Sequence, residues 1–274
     1  MRRWLIDAHS VLLTTGDFAP LVGAWRAHAR LWDGGFDGLA EALMRQGLAA
    51  AVLHLANRPR DEAVAWTLNL RDPPTNLFLT GEARRGIVTG RVFSENIRTS
   101  GSSRLYVQTL RARGEPTMSA IDVSGFDVLE IFEQYYARSE QSPARFVDYG
   151  GDGVGPGGAK SSSDRFGMLL GMPGADRAWI AGLTREEIEG LDPASNGDVI
   201  PRPGARLLEE RVMRFECGCT PRKMLSALRG IFGRRPDELF QGELFVETTC
   251  PRCGRRWRVS REQFEAAGDE TRPA

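Results

Sequence analysis

The stretch Val64-Ala65-Trp66-Thr67-Leu68-Asn69-Leu70 sets Val64, Trp66, Leu68 and Leu70 on every second position. Successive side chains of a β-strand point to opposite faces, so the pattern predicts a strand with one face turned to a core. Reading on, Asp72-Pro73-Pro74 makes a turn. Leu77–Thr80 and Ile87–Phe93 follow as strands joined through Gly81 and Gly86, and Arg104–Leu110 and Met118–Val123 form a hairpin across Arg113-Gly114-Glu115-Pro116. Five short strands in close succession predict a meandering antiparallel sheet.

Working outward from that sheet, Leu39, Leu43, Leu48, Val52 and Leu55 recur at helical spacing between Asp37 and Ala56, with Pro59 closing the segment. Leu21–Leu31 reads as helical, and Trp4–Leu13 fits a strand or a helix equally. Asp127 and Glu130 have capping-box spacing at the start of a helix whose face is Leu129, Phe132, Tyr135 and Tyr136. That aromatic stripe reads as core. Arg145–Tyr149 and Phe166–Met172 read as two further strands, and the glycine- and serine-rich Gly150–Ser163 between them as a mobile loop. The fold class expected is therefore α+β. An N-terminal domain over residues 1–173 has a mainly antiparallel sheet packed by helices. A short linker over 174–212, broken by Pro193, Pro201 and Pro203, has little structure beyond a helix capped by Thr184 and Glu187. A small four-cysteine module spans 213–264, with a disordered tail over 265–274.

Composition narrows the function classes. The chain has 274 residues, 41% hydrophobic and 26% charged, which is ordinary for a globular protein. Lys+Arg 36 balance Asp+Glu 36, so net charge points to neither nucleic acid nor a membrane surface. The longest apolar stretch, Gly47–Ala56, falls far short of the roughly 18–20 residues a membrane span needs. Asp7 and His9 interrupt any signal-peptide core, so a cytoplasmic location is expected. In such a reducing compartment cysteines are more often metal ligands or redox centres than structural disulfides.

All four cysteines lie near the C-terminus, as Cys217-Gly218-Cys219 and Cys250-Pro251-Arg252-Cys253. Two close pairs brought together by a fold satisfy tetrahedral thiolate coordination, and His9, His28 and His54 are all remote in sequence. The expected site is one zinc per chain held by Cys217, Cys219, Cys250 and Cys253. Pro251 and Gly254 suit a tight turn with backbone amides aimed at the Cys250 sulfur. Between the pairs, Thr220-Pro221 starts a helix whose buried side would be Met224, Leu225, Leu228 and Ile231. Leu244–Thr248 and Trp257–Val259 flank the C-x-x-C turn as strands. Ser260 and Gln263 cap a last helical turn carrying Phe264. A module of this size has a small core, so the metal would supply much of its stability.

Other motifs read more plainly. Gly153, Gly155 and Gly158 spell G-x-G-x-x-G, and Gly158-Ala159-Lys160-Ser161 imitates the end of a phosphate loop. Ala159 stands where that loop's last glycine belongs, and no long helix follows. The module holds eleven Lys and Arg against six Asp and Glu, with Arg255, Arg256, Arg258 and Arg261 around Trp257. In so arginine-rich a protein this reads as a solvated basic face, and nucleic acid is not the expected partner.

The C-x-C, thirty residues, C-x-x-C order resembles the redox-regulated heat-shock chaperones of the heat shock protein 33 family. Phe215-Glu216-Cys217-Gly218-Cys219 resembles that family's entry into its zinc module. Gly242-Glu243-Leu244-Phe245-Val246-Glu247 before Cys250-Pro251-Arg252-Cys253-Gly254 resembles its exit. Upstream, Glu133-Gln134-Tyr135-Tyr136-Ala137-Arg138-Ser139-Glu140-Gln141-Ser142-Pro143 and Gly167-Met168-Leu169-Leu170 are similar to the family's N-terminal domain. The first thirty-five residues do not match, and Gly174–Glu216 is shorter and richer in proline than the family's helical linker.

The resemblance implies an ATP-independent holdase and no enzyme. The zinc-bound, reduced form is inactive. Oxidation to Cys217–Cys219 and Cys250–Cys253 disulfides releases zinc, unfolds module and linker, and exposes surface for unfolding client proteins, with a homodimer on activation. Two other classes compete. One is a zinc-ribbon nucleic-acid binder with a purely structural zinc. The other is a thiol-disulfide oxidoreductase using Cys250 and Cys253, which would need a metal-free C-x-x-C at a helix start.

Overall fold

The computed structural model describes residues 1–32, 38–94, 101–150, 164–192 and 204–266. In chain order the elements are β1 (Arg2–Ile6), β2 (Val11–Asp17), α1 (Ala19–Trp32), α2 (Gly38–Ala56), β3 (Glu62–Arg71), β4 (Pro74–Glu82), β5 (Ile87–Phe93), β6 (Arg104–Arg111) and β7 (Thr117–Asp122). Then come α3 (Val128–Tyr135), β8 (Ala144–Asp148), β9 (Arg165–Gly171), α4 (Arg177–Gly182), α5 (Arg185–Leu191), β10 (Ala205–Glu210) and β11 (Arg214–Phe215). The C-terminal module holds α6 (Pro221–Phe232), α7 (Pro236–Phe240), β12 (Phe245–Thr249), β13 (Arg256–Ser260) and α8 (Arg261–Ala266).

The fold is α+β, with antiparallel sheets packed by helices. One sheet has the order β11-β5-β4-β3-β6-β7, and the other β10-β1-β2-β9-β8. Every pairing in them is antiparallel except β11 with β5, where Arg214 and Phe215 lie parallel to Ile87 and Val88. The alternation read in β3 is real: Val64, Trp66, Leu68 and Leu70 are buried in turn. Helix α2 runs through the middle of the main core and is buried almost all round from Leu43 to Ala56. A Cβ at Gly47 would meet Leu77 Cδ2 at 2.8 Å, so this glycine lets α2 press close onto β4. His54 of α2 is fully buried among Trp66, Phe132, Tyr135 and Tyr136. The Tyr136 hydroxyl shares a hydrogen bond with its Nδ1 at 3.0 Å, and burial pushes the His54 pKa down to about 3. The aromatic stripe is thus core, as read.

Four readings change. Trp4–Leu13 is neither one strand nor one helix. A 3-10 turn at Asp7–His9 splits it into a hairpin, and Ser10 takes the left-handed conformation (φ 53) that a glycine would have announced. The segment 174–212 has more structure than expected. Helices α4 and α5 bury Ile180, Leu183 and Ile188 in a second core with Trp4, Ile6, Val11, Leu13 and Leu169, and β10 pairs with β1. Partners in the N-terminal sheet supply what the local sequence lacks. The Thr184–Glu187 capping box forms at α5 as read. Ile231 is 66% exposed. It lies two turns beyond Met224, past the reach of the cysteine cluster, and the buried side of α6 is Met224, Leu225, Leu228 and Phe232. Helix α7, which buries Phe240, had no counterpart in the sequence reading. The G-x-G-x-x-G loop, the three linker prolines and 267–274 of the tail lie outside the described residues.

Candidate metal centre

Three short elements deliver the four sulfurs. Strand β11 adds to the edge of β5, with Arg214 and Glu216 donating from their amides to the Gly86 and Val88 carbonyls. The chain then turns at Gly218 (φ 47), so Cys217 and Cys219 face the same way. Lys223 holds that turn by donating from Nζ to the Gly218 carbonyl at 2.8 Å. Thr220 caps α6 by accepting from the Lys223 amide, which places buried Met224 against the cysteines. On the other side the β12–β13 hairpin carries Cys250–Arg255 as a knuckle at its tip. The Cys250 amide donates to the Arg255 carbonyl at 2.8 Å, and the Gly254 amide to the Cys250 carbonyl at 2.9 Å.

All four Sγ atoms lie within 4.8 Å of one another, with Cys217–Cys250 and Cys219–Cys253 each at 3.7 Å. A tetrahedral ion with bonds of about 2.3 Å to sulfur needs sulfurs about 3.8 Å apart. The four thiolates therefore fit such an ion. Cys217, Cys250 and Cys253 are buried, and Cys219 is half-exposed. Side-chain hydrogen bonds with Cys217 and Cys253, joined by the amides of Arg252 and Cys253, hold Cys250 far below the usual thiol range. The amide-lined knuckle predicted from Pro251 and Gly254 is therefore present. The bond to Cys250 pushes Cys217 up to about 12, and bonds to Cys217 and Cys250 with burial push Cys253 up as well.

No histidine approaches as a ligand among the described residues, but one sits directly behind the site. His28 of α1 donates from Nε2 to the Cys253 carbonyl at 2.8 Å. Arg252 donates from Nε and Nη2 to Thr80 Oγ1 of β4 at 3.1 and 2.6 Å. The Arg255 guanidinium lies between two indoles, 5.1 Å from Trp32 of α1 and 4.4 Å from Trp257 of β13. These partners are 225 and 172 residues away along the chain, and no local pattern marks them.

The arginines near Trp257 are mostly engaged. Arg255 is held as above, Arg258 lies over the Phe245 ring, and Arg261 pairs with Asp237 and Glu265. Among the described residues no helix is long and apolar enough to cross a membrane.

A family model described as Hsp33 protein matches residues 24–260. Curated proteins named 33 kDa chaperonin are similar in sequence. That of Trichormus variabilis is 26% identical over 176 residues, covering 60% of this chain and 58% of that protein. That of Nostoc sp. is 24% identical over 254 residues, covering 82% and 83%. The match to that of Staphylococcus aureus covers 51% of its length. The chain thus spans from about half to about four fifths of these relatives. In fold it is similar to the crystal structure of the 33 kDa chaperonin (heat shock protein 33 homolog) from Thermotoga maritima, with a TM-score of 0.70 over 97% of both chains at 18% identity.

Proposed function

The chain belongs to the Hsp33 family, and on that premise we propose that it is a redox-regulated, ATP-independent holdase whose switch is the four-cysteine centre. The observation that carries the reading is the sulfur cluster itself: four cysteines from two distant pairs, spaced for one tetrahedral ion. Bound zinc keeps the sulfurs as thiolates and ties α6 to the β12–β13 hairpin. The thiolate is the form oxidants attack.

With hydrogen peroxide, one thiolate of a pair attacks the O–O bond, becoming a sulfenic acid as hydroxide leaves. The neighbouring thiolate displaces a second hydroxide from that sulfur and forms the disulfide. Each pair loses two electrons, and one peroxide ends as two waters after protonation. Cys217–Cys219 and Cys250–Cys253 are the pairings with least loop to close. With both formed, no thiolate remains to hold the ion. The module has only two small cores, one made of the cysteines with Met224, the other of Phe240, Val259 and Phe264. Without the first, its chain entropy wins. Release of β11 bares the β5 edge and the partly buried Met213 and Phe215, and an unpaired edge beside apolar side chains suits an unfolding client. The proposed partner is thus an unfolded polypeptide, and the likeness to the family adds a homodimer on activation and a cytoplasmic location to the proposal.

The nucleic-acid alternative has less support, because three of the four arginines that suggested it are held within the protein. The test is peroxide treatment of the reduced, zinc-loaded chain, following zinc release, disulfides by mass spectrometry and the aggregation of a heat-unfolding test protein in one sample. One zinc released per chain, two local disulfides and suppressed aggregation are expected. A Cys219–Cys250 crosslink as the main product, or zinc release without suppressed aggregation, would sink the reading.

A further inference from the structure

We propose that His28 is a positioning residue for the redox centre. By donating to the Cys253 carbonyl it seats the knuckle on α1 and β4, slows oxidation of the buried sulfurs, and lets go when the knuckle is rebuilt as a disulfide. The inference deepens the redox reading above and rests on it.

Of the six residues Cys250–Arg255, three reach out of the module, and all three land on the N-terminal domain. Cys253 lands on His28, Arg252 on Thr80, and Arg255 against Trp32. His28 is itself fixed: its ring packs edge-on against Phe215 of β11 at 5.5 Å, next to the other cysteine pair. One side chain therefore touches the knuckle directly and, through Phe215, the strand that leads into the other pair. Since a carbonyl can only accept, Nε2 carries the proton, and Nε2–H is the donor.

The acceptor belongs to a sulfur-bearing residue, which couples the contact to the redox state. The Cys250 and Cys253 sulfurs now stand apart, within the 4.8 Å spread of the cluster. A disulfide brings two sulfurs to about 2.05 Å. Closing that gap turns both side chains inside a four-residue turn, and on this proposal the Cys253 carbonyl shifts with them. Seating also explains the burial pattern. Cys250 and Cys253, on the seated knuckle, are 2% and 1% exposed, while Cys219, on the other arm of the site, is the one half-exposed cysteine. While seated, the knuckle pair is out of an oxidant's reach, and its oxidation waits on unseating.

The experiment compares full-length reduced chains loaded with zinc. His28→Phe keeps a ring against Phe215 and removes the donor. His28→Gln returns an N–H donor without the ring. Zinc content, hydrogen exchange of residues 250–255 without oxidant, and zinc release under hydrogen peroxide are read for each. All chains should hold one zinc. His28→Phe should exchange and release zinc about three- to tenfold faster, the loss expected for one hydrogen bond, while His28→Gln stays within about twofold of the parent.

Thr80→Val removes only the acceptor of Arg252 and is the second arm, which decides the matter if His28→Phe folds poorly; it should shift both rates the same way. Parent-like exchange and release in His28→Phe and Thr80→Val overturn the proposal. So does His28→Gln behaving like His28→Phe, since the ring and not the donor would then matter. If peroxide frees no zinc from the parent chain, the redox reading fails. The exchange rates without oxidant still decide whether His28 seats the knuckle.

Discussion

His54 shows how one buried side chain ties stability to pH. It is neutral in the folded protein, with Nδ1 hydrogen-bonded to the Tyr136 hydroxyl and Nε2 facing no partner. Its pKa of about 3 lies below that of a histidine in the unfolded chain, near 6.5. As pH falls, the unfolded chain binds this proton first. Stability present above pH 6.5 is therefore lost steadily as pH drops toward 3, by about 1.4 kcal/mol per unit at most from this residue. His54→Leu with Tyr136→Phe removes the titrating ring and the hydroxyl that would otherwise lose its partner. Urea unfolding at pH 7, 6 and 5 should show a flatter pH slope in the double variant. Equal slopes in both chains would mean that His54 is protonated or solvated in the native state.

Among the elements, those of 174–212 divide into two kinds. Helices α4 and α5 bury Ile180 and Ile188 in the second core, none of whose members belongs to the four-cysteine module. Strand β10 has Leu207 and Leu208 largely exposed and is held by backbone pairing to β1, with Glu209 tied to Arg3, Arg60 and Arg211. Its C-terminal end leads straight into β11 and the cysteines. On zinc removal, amides of β10 should exchange at least about tenfold faster while those of α4 and α5 stay protected, in the manner of separate cooperative units. Exchange of all three together would make the segment a single unit.

The division also explains what could be read in advance. Strands β3, β4 and β6 alternate a buried with a wetter face, so period two was visible there. Strand β2 buries Leu13, Thr14 and Thr15 in a row between two cores, and its turn uses Ser10 instead of glycine. Strand β10 depends on β1, and no pattern in its own six residues could show that. The four cysteines were legible because their spacing is local. His28, Thr80 and Trp32 were not, because only the assembled fold brings them behind the knuckle.

At the scale of the whole molecule, the N-terminal cores and the module's cores are separate clusters joined by β11 and the knuckle seat. A fifty-residue module with no metal on its four cysteines has too little apolar burial to stay folded, whereas the N-terminal domain would keep both of its cores. A strong chelator at neutral pH should therefore abolish protection across α6, α7 and the β12–β13 hairpin at room temperature. The main heat transition should move down by only about 2–4 °C, the shift for roughly 1 kcal/mol of lost docking in a domain of this size. A single transition that vanishes with the metal would show that the two parts fold as one.

The distance along the chain between His28 and Cys253 also has a meaning in time. They are 225 residues apart, and the ribosome makes α1 and β4 long before the knuckle. At 5–20 residues per second, the growing chain spends about ten to forty-five seconds with the seat bare. Once β9 and β10 are made, and until the knuckle follows, the N-terminal domain resembles the open form of the proposed switch. On the proposed switch, each newborn molecule thus passes once through an open state, and after release the supply of metal, not the redox poise, would set how quickly that state ends.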